Sequence, residues 1–212
     1  MITAAAHAGF HAALHRLDVK ADPSSWVSEL LEGTNHAVYV SAKNESEMSF
    51  AVAVVDFENG RMAYGSAGHH PQYLQSGTGA IKALLAQQAP QLGKAPVLGT
   101  RASTVDLQPG DRVIWYTDGL VEGNDAKGEA IGKARFQRAI RAAKLESSDG
   151  AVEWLEKVIE GTVGCKSSAL PELARADDIT VIALQFKARI AARSDSGAPV
   201  APPPFSPKSE AA

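Results

Sequence analysis

Apolar residues near the start of the chain recur with the period of an α-helix. From residue 2 to residue 17 they stand three or four positions apart, so they share one face that can pack on a sheet. A second amphipathic segment begins after Asp22-Pro23, a favourable helix start. Gly33 and Asn35 are expected to end this segment, because both residue types interrupt helices. The same period predicts two later helices, residues 131–143 and 151–163, on one face of a sheet.

Runs of β-branched and aromatic residues between these segments predict strands. The turn Glu58-Asn59-Gly60 separates two such runs and predicts a hairpin. The predicted strands cover residues 37–40, 50–56, 61–66, 102–107, 112–116 and 179–186. Residues 79–91 are compatible with a short helix or an irregular strand. Hairpin strands with flanking helices predict an α+β fold in which mostly antiparallel sheets are covered by helices.

The composition narrows the class of protein. The chain has 212 residues and a formal net charge of −3, which suit one ordinary domain. Its single cysteine, Cys165, excludes an internal disulfide framework and favours a cytoplasmic location. The mild acidity and the lack of a basic patch argue against nucleic-acid binding. The sequence has no run of about 18 apolar residues, so we expect membrane attachment only through regions outside it.

The C-terminal end of the chain differs in composition from the rest. The alternation of apolar positions stops near Lys187, and residues 194–212 are rich in proline, serine and alanine. A segment of this kind cannot bury enough apolar surface to fold. We therefore predict one domain over residues 1–187 and a disordered tail over residues 188–212.

Two short acidic motifs carry the candidate chemistry. Asp118 follows the predicted strand 112–116, whereas Asp177 and Asp178 precede the predicted strand 179–186. If these strands are antiparallel neighbours, the end of one meets the start of the other. Close carboxylates repel each other unless a cation lies between them, and motifs without cysteine or histidine offer the oxygen ligands that suit Mg²⁺ or Mn²⁺. In the alternative interpretation these aspartates are turn or cap residues.

Five short segments occur along the chain in a specific order. They are Tyr64-Gly65-Ser66-Ala67-Gly68-His69-His70-Pro71, Pro96-Val97-Leu98-Gly99, Leu107-Gln108-Pro109-Gly110-Asp111, Tyr116-Thr117-Asp118-Gly119-Leu120-Val121-Glu122 and Asp177-Asp178-Ile179-Thr180. In this order they resemble the metal-dependent protein phosphatases (PPM family), in their bacterial SpoIIE-like branch. The resemblance covers residues 2–186 and implies a four-layer αββα sandwich. It also implies Mn²⁺- or Mg²⁺-dependent hydrolysis of phosphoserine or phosphothreonine on a regulatory protein, in bacterial signal transduction.

The resemblance also implies roles for individual residues in the two motifs. Asp118 and Asp177 would be the catalytic metal ligands, and Gly119 would allow close approach of the backbone. Asp178 would be a supporting acid. Glu122 is interpreted as a cap or salt-bridge residue, with a ligand role as the alternative.

Two neighbouring histidines belong to another of these segments. His69 matches a histidine of the family, and it either supports the site as a polar group or shapes a turn between two strands. His70 stands where the family usually has asparagine.

Other ligands of the family come from an early Gly-Asp strand and from an Asp-Gly turn before the first long helix, and this sequence contains neither. We therefore expect an N-terminally truncated sandwich with an unpaired sheet edge. Two alternatives to an active phosphatase stay open, namely a non-catalytic phosphatase-like binding module and a fragment of a longer enzyme. The protein substrate and the oligomeric state are not encoded in any motif that we identify.

Overall fold

The computed structural model describes residues 1–18, 20–43, 45–125, 127–143, 150–166 and 178–187. Asp177 and the predicted tail, residues 188–212, lie outside this part of the chain. The helices are α1 (Ile2–Leu14), α2 (Pro23–Ala42), α3 (Gly119–Glu122), α4 (Gly132–Ala142) and α5 (Ala151–Val163). The strands are β1 (Phe50–Asp56), β2 (Arg61–Ala67), β3 (Gln72–Gln75), β4 (Ile81–Leu84), β5 (Ser103–Asp106), β6 (Arg112–Tyr116) and β7 (Val181–Gln185).

The strands form two sheets in which neighbouring strands run antiparallel. One sheet has the order β1-β2-β5, and the other has the order β4-β3-β6-β7. Helices α1 and α2 cover the first sheet, and α4 and α5 cover the second. The predicted α+β fold, an αββα sandwich, is confirmed. Strand β1 lies at one edge of the first sheet.

Alternation along strand β2 shows how the layers are built. Met62 and Tyr64 point to the second sheet, where they pack with Leu74 and other residues of the space between the sheets. Ala63 and Ala67 belong instead to the apolar cluster beneath α1 and α2. Successive side chains of a strand point to opposite faces. Strand β2 therefore contributes both to the cluster between the sheets and to the cluster beneath α1 and α2.

Two aromatic side chains pack against the outer face of the second sheet. Phe136 of α4 and Trp154 of α5 are fully buried and pack in one cluster with Ile114 and Tyr116 of β6. Removing these large apolar surfaces from water is the main driving force that holds the two helices on the sheet. Strand β6 therefore lies in the centre of the core, and its last residue leads directly into the first acidic motif.

Helix α2 differs most from the sequence prediction. The predicted helix end near Gly33 and Asn35 is wrong, and so is the predicted strand at 37–40, because α2 continues to Ala42. The buried Asn35 amide stays in the helix by bonding outside it, since it donates to the Ala95 carbonyl (3.0 Å) and accepts from the Gly93 N–H (3.0 Å). Burial of an apolar helix face therefore outweighs the local preference for a strand.

The glycines of the first two helices permit a close crossing. A Cβ atom added at Gly33 would lie 2.7 Å from the Cβ of Ala13, and one added at Gly9 would lie 2.5 Å from the Cβ of Ala37. Both distances are too short for real carbon atoms, so glycine is required by contact between the helices. The sequence prediction interpreted Gly33 as a helix end, whereas the structure shows it as a packing position.

Strand β3 and the short helix α3 were not predicted from the sequence, whereas the other elements agree with the prediction within a few residues. Helix α1 ends at Leu14, three residues before its predicted end. Residues 81–84, left open between helix and strand, form β4 and pair with β3. Among the residues that the structure describes, no helix combines the length and apolar character needed to cross a membrane.

Candidate metal centre at the ends of strands β6 and β7

The two acidic motifs meet as the sequence predicts, because β6 and β7 are antiparallel neighbours. The pairing continues past the strands to Thr117, whose N–H donates to the Thr180 carbonyl at 3.0 Å. The Thr117 hydroxyl accepts a hydrogen bond from the Thr180 N–H (2.8 Å) and donates one to the Asp178 carbonyl (3.0 Å). One threonine therefore connects the backbone of the first motif to that of the second.

Asp118 directly follows Thr117, the residue that connects the two motifs. Its side chain accepts a hydrogen bond from the Gly119 N–H at 3.1 Å, and the carboxylate is exposed. The predicted ligand Asp177 precedes Asp178 but lies outside the described residues, so its role stays a prediction. The roles predicted for Asp118 and Gly119 as metal-site residues stay predictions as well.

The segment after Asp118 forms a helical turn. Helix α3 begins here because the Asp118 carbonyl accepts hydrogen bonds from the N–H groups of Val121 (2.8 Å) and Glu122 (2.9 Å). Residues four apart lie on the same side of a helix. The turn therefore brings the carboxylate of Glu122 to the same side as that of Asp118.

His70 completes a group of three potential ligands. One ligand atom each from His70, Asp118 and Glu122 lies within 4.8 Å of the others. The histidine comes from the connection between β2 and β3, so the three donors belong to two distant segments of the chain. In the sequence, His70 is only a departure from a family motif, whereas the four-residue spacing of Asp118 and Glu122 is a signal for their proximity.

The imidazole of His70 is held by the core beneath it. Its ring stacks on Tyr116 with an interplanar angle of 4° and a centroid distance of 5.9 Å. Tyr116 is buried and in turn contacts Phe136 at a centroid distance of 4.6 Å. Burial raises the pKa of the Tyr116 phenol. A neutral aromatic ring therefore fixes the plane of the His70 imidazole.

The connection that carries His70 is fixed by hydrogen bonds of its own. The His70 carbonyl accepts a hydrogen bond from Nε2 of Gln72 (3.2 Å) and lies 3.1 Å from Nδ1 of His69. The N–H of His69 donates to the hydroxyl of Ser66 at 3.2 Å. These bonds are those expected of a residue that shapes a turn, which was one of the two roles considered for His69.

The electrostatic surroundings leave a nitrogen lone pair available. Burial, assisted by the nearby Lys133, lowers the pKa of the His70 imidazole, and the carboxylates of Asp118 and Glu122 oppose this effect. A neutral imidazole and two carboxylates form a donor set that fits a divalent cation. The residues present therefore fit the metal ion that the resemblance implies.

Comparison with known proteins identifies the family of this chain. The family described as Stage II sporulation protein E (SpoIIE) matches residues 1–187. This chain belongs to the SpoIIE family. Protein IcfG of Synechocystis sp. is 28% identical over 152 residues, which cover 69% of this chain and 22% of that protein. The chain therefore spans about a fifth of the length of that curated relative.

Solved structures share the fold of this SpoIIE-family chain. The SiaA-PP2C domain of Pseudomonas aeruginosa has a TM-score of 0.65 at 22% identity, with 88% of this chain and 68% of that chain covered. The RsbU and RsbW domains of Rv1364c from Mycobacterium tuberculosis give a TM-score of 0.63 at 21% identity, with 89% and 48% covered. The serine/threonine phosphatase PstP/Ppp of the same organism gives 0.56 at 14% identity, with 88% and 83% covered. The predicted family and fold class are confirmed.

Proposed function

We propose that this domain is a metal-dependent protein serine/threonine phosphatase. Its substrate would be phosphoserine or phosphothreonine on a regulatory protein, in bacterial signal transduction. The observation that carries this proposal is the Thr117 hydroxyl of the first acidic motif, which donates to the Asp178 carbonyl and accepts from the Thr180 N–H of the second motif. Membership of the SpoIIE family supports the same class of reaction.

The proposed cofactor is Mn²⁺ or Mg²⁺, held by the carboxylates of Asp118 and Asp177. Gly119 would allow the backbone to approach the ion, because it has no side chain. When bound, a divalent ion supplies positive charge that stabilises the phosphoryl oxygens during hydrolysis. Asp118 is oriented for this role by the N–H of Gly119, and Thr117 keeps the two motifs in register.

The proposed partner is a phosphorylated regulatory protein, and the proposed location is the cytoplasm. The net charge of −3 disfavours the phosphate backbone of nucleic acids as a binding partner. Attachment to a membrane would depend on segments outside this sequence.

The test is Mn²⁺-dependent phosphate release from a phosphoserine peptide by the full chain. We expect Asp118→Asn to lower the rate by at least about 100-fold, because even residues that only support a metal ligand affect activity by 10- to 100-fold. The matched control is Asp106→Asn, which removes an exposed carboxylate of β5 that pairs with Arg61. It should leave the rate unchanged.

Two outcomes of this assay would reject the proposal. If the wild-type chain and Asp118→Asn released phosphate at the same rate, the site would be wrong. If the wild-type chain neither released phosphate nor bound Mn²⁺ in calorimetry, the alternative of a non-catalytic binding module would be favoured.

A further inference from the structure

We propose that His70 and Glu122 join Asp118 as direct ligands of one divalent transition-metal ion, and that this nitrogen-containing centre prefers Mn²⁺, Co²⁺ or Zn²⁺ to Mg²⁺. The inference rests on the proposed role of Asp118 as a metal ligand. It goes further by adding His70, by choosing the ligand role for Glu122 and by assigning a metal preference.

The distances among the three side chains are close to those that a bound ion requires. Their ligand atoms lie within 4.8 Å of one another. Around an octahedral ion with bonds of about 2.1 Å, neighbouring ligand atoms are about 3 Å apart and opposite ones about 4.2 Å apart. Rotation of the exposed carboxylate side chains of Asp118 and Glu122 can bring the ligand atoms to these distances.

The three donors are positioned by strand β6 and by the helical turn that follows it. Asp118 and Glu122 are one helical turn apart, because the Glu122 N–H donates to the Asp118 carbonyl at 2.9 Å. His70 is positioned by its stacking on Tyr116, the residue two positions before Asp118. The plane of the imidazole is therefore set by the same strand that delivers the first carboxylate. A preorganised ligand loses little conformational freedom when the ion binds.

The charges around the group favour a cation. In the part of the chain that the structure describes, Asp106, Glu47 and Asp125 form ion pairs with basic side chains, whereas Asp118 and Glu122 do not. Two carboxylates at this separation repel each other in the absence of a counter-charge. Lys133 is the nearby cation that acts on His70, and it lies on the exposed side of α4. A bound divalent ion would offset the repulsion between the carboxylates.

The donor types determine the expected metal. Mg²⁺ takes oxygen ligands almost exclusively, whereas imidazole nitrogen suits zinc, iron, nickel and copper, and affinity for mixed nitrogen and oxygen sites rises from Mn²⁺ toward Cu²⁺. A site with one imidazole and two carboxylates therefore discriminates against Mg²⁺. An all-oxygen site would not.

The test is pulsed electron paramagnetic resonance of Mn²⁺ bound to the full chain without a histidine tag. A nitrogen ligand produces ¹⁴N modulation of the spin echo, and we expect this modulation in the wild-type protein. We expect it to be lost in His70→Asn and retained in the matched control His36→Asn, whose histidine is exposed on α2. Glu122→Gln should weaken Mn²⁺ binding by about 10-fold or more, whereas Glu156→Gln on α5 should not.

The wild-type spectrum shows whether a nitrogen ligand is present, and the His70→Asn spectrum shows whether His70 supplies it. Bound Mn²⁺ without ¹⁴N modulation, modulation that persists in His70→Asn, or no Mn²⁺ binding at all would overturn it. Nitrogen modulation in a protein that hydrolyses no phosphopeptide would keep this inference and reject the proposed phosphatase function. Phosphopeptide hydrolysis with an all-oxygen Mn²⁺ spectrum would do the reverse.

Discussion

Replacing Thr117 with valine tests whether the connection between the two acidic motifs supports the metal centre. Valine has nearly the same shape as threonine and suits an extended backbone, but it cannot make the hydroxyl hydrogen bonds to Asp178 (3.0 Å) and Thr180 (2.8 Å). Each intramolecular hydrogen bond contributes about 1 kcal/mol to stability. Because this position is partly exposed, water replaces part of each bond, and we expect a loss of about 1 to 2 kcal/mol in the free energy of unfolding.

The effect on metal binding follows from the position of Thr117 beside Asp118. Residues that orient a ligand affect metal affinity by about 10- to 100-fold. We expect Thr117→Val to weaken Mn²⁺ binding by at least about 10-fold, which corresponds to about 1.4 kcal/mol. Thr117→Ser keeps the hydroxyl and should retain most of the affinity.

Two measurements on the same protein samples check this prediction. Urea unfolding followed by circular dichroism gives the free energy of unfolding, and isothermal titration calorimetry gives the Mn²⁺ affinity. Thr104→Val is the matched control, because Thr104 is exposed on β5 in the other sheet. A Mn²⁺ affinity in Thr117→Val within about twofold of the wild type, less than 0.5 kcal/mol by the usual conversion, would refute the reasoning.

Three further predictions concern the scaffold. Gly9→Ala gains about 1 kcal/mol of helix propensity, but overpacking against Ala37 (2.5 Å) costs about 1 to 3 kcal/mol. Urea unfolding should therefore show a net loss of stability, which the additional change Ala37→Gly should partly restore. A gain of about 1 kcal/mol would contradict the close helix crossing. Trp154→Phe should lower the free energy of unfolding by about 2 to 3 kcal/mol, because it leaves the buried Oε1 of Gln75 without its 2.7 Å hydrogen bond. A decrease of less than about 0.5 kcal/mol would contradict a stabilising role of this hydrogen bond. The hydrogen bond from Arg135 is the largest cause that lowers the pKa of Asp125 from 3.8 to about 2. The stability that this carboxylate contributes is complete above pH 3.8 and is lost as the pH falls through about 2. Over that range the free energy of unfolding of the wild type should therefore fall more steeply than that of Asp125→Asn. The same pH dependence in both proteins would contradict the lowered pKa of Asp125.

Most strands were predictable from sequence because their signals are local, although β3 was not predicted. The turn at Asn59-Gly60 and the β-branched runs on either side define the first hairpin without reference to the rest of the chain. Helix α2 was mispredicted because its end depends on distant contacts. Asn35 stays helical through bonds to residues 93 and 95, and Gly33 is set by the crossing with α1. Local propensity contains no information about either contact.

The site was predictable in part for the same reason. The two motifs converge because the apolar runs beside them pair as antiparallel strands, and the structure confirms the pairing of β6 with β7. The approach of His70 to Asp118 could not be predicted, because it depends on how the β2–β3 connection lies over Tyr116. Glu122 was predicted as a cap or salt-bridge residue, because the helical turn after Asp118 is not evident from the sequence. In a helical turn, its four-residue spacing from Asp118 places both carboxylates on one side.

The central claim is that Asp118 and Asp177 share one divalent ion. A double-mutant cycle of Mn²⁺ affinity, measured by calorimetry on the wild type, Asp118→Asn, Asp177→Asn and the double variant, tests it most directly. If both carboxylates bind the same ion, each single change should remove most of the affinity and the double change should add little further loss. Additive losses, or a single change that leaves Mn²⁺ binding at the wild-type level, would contradict the account.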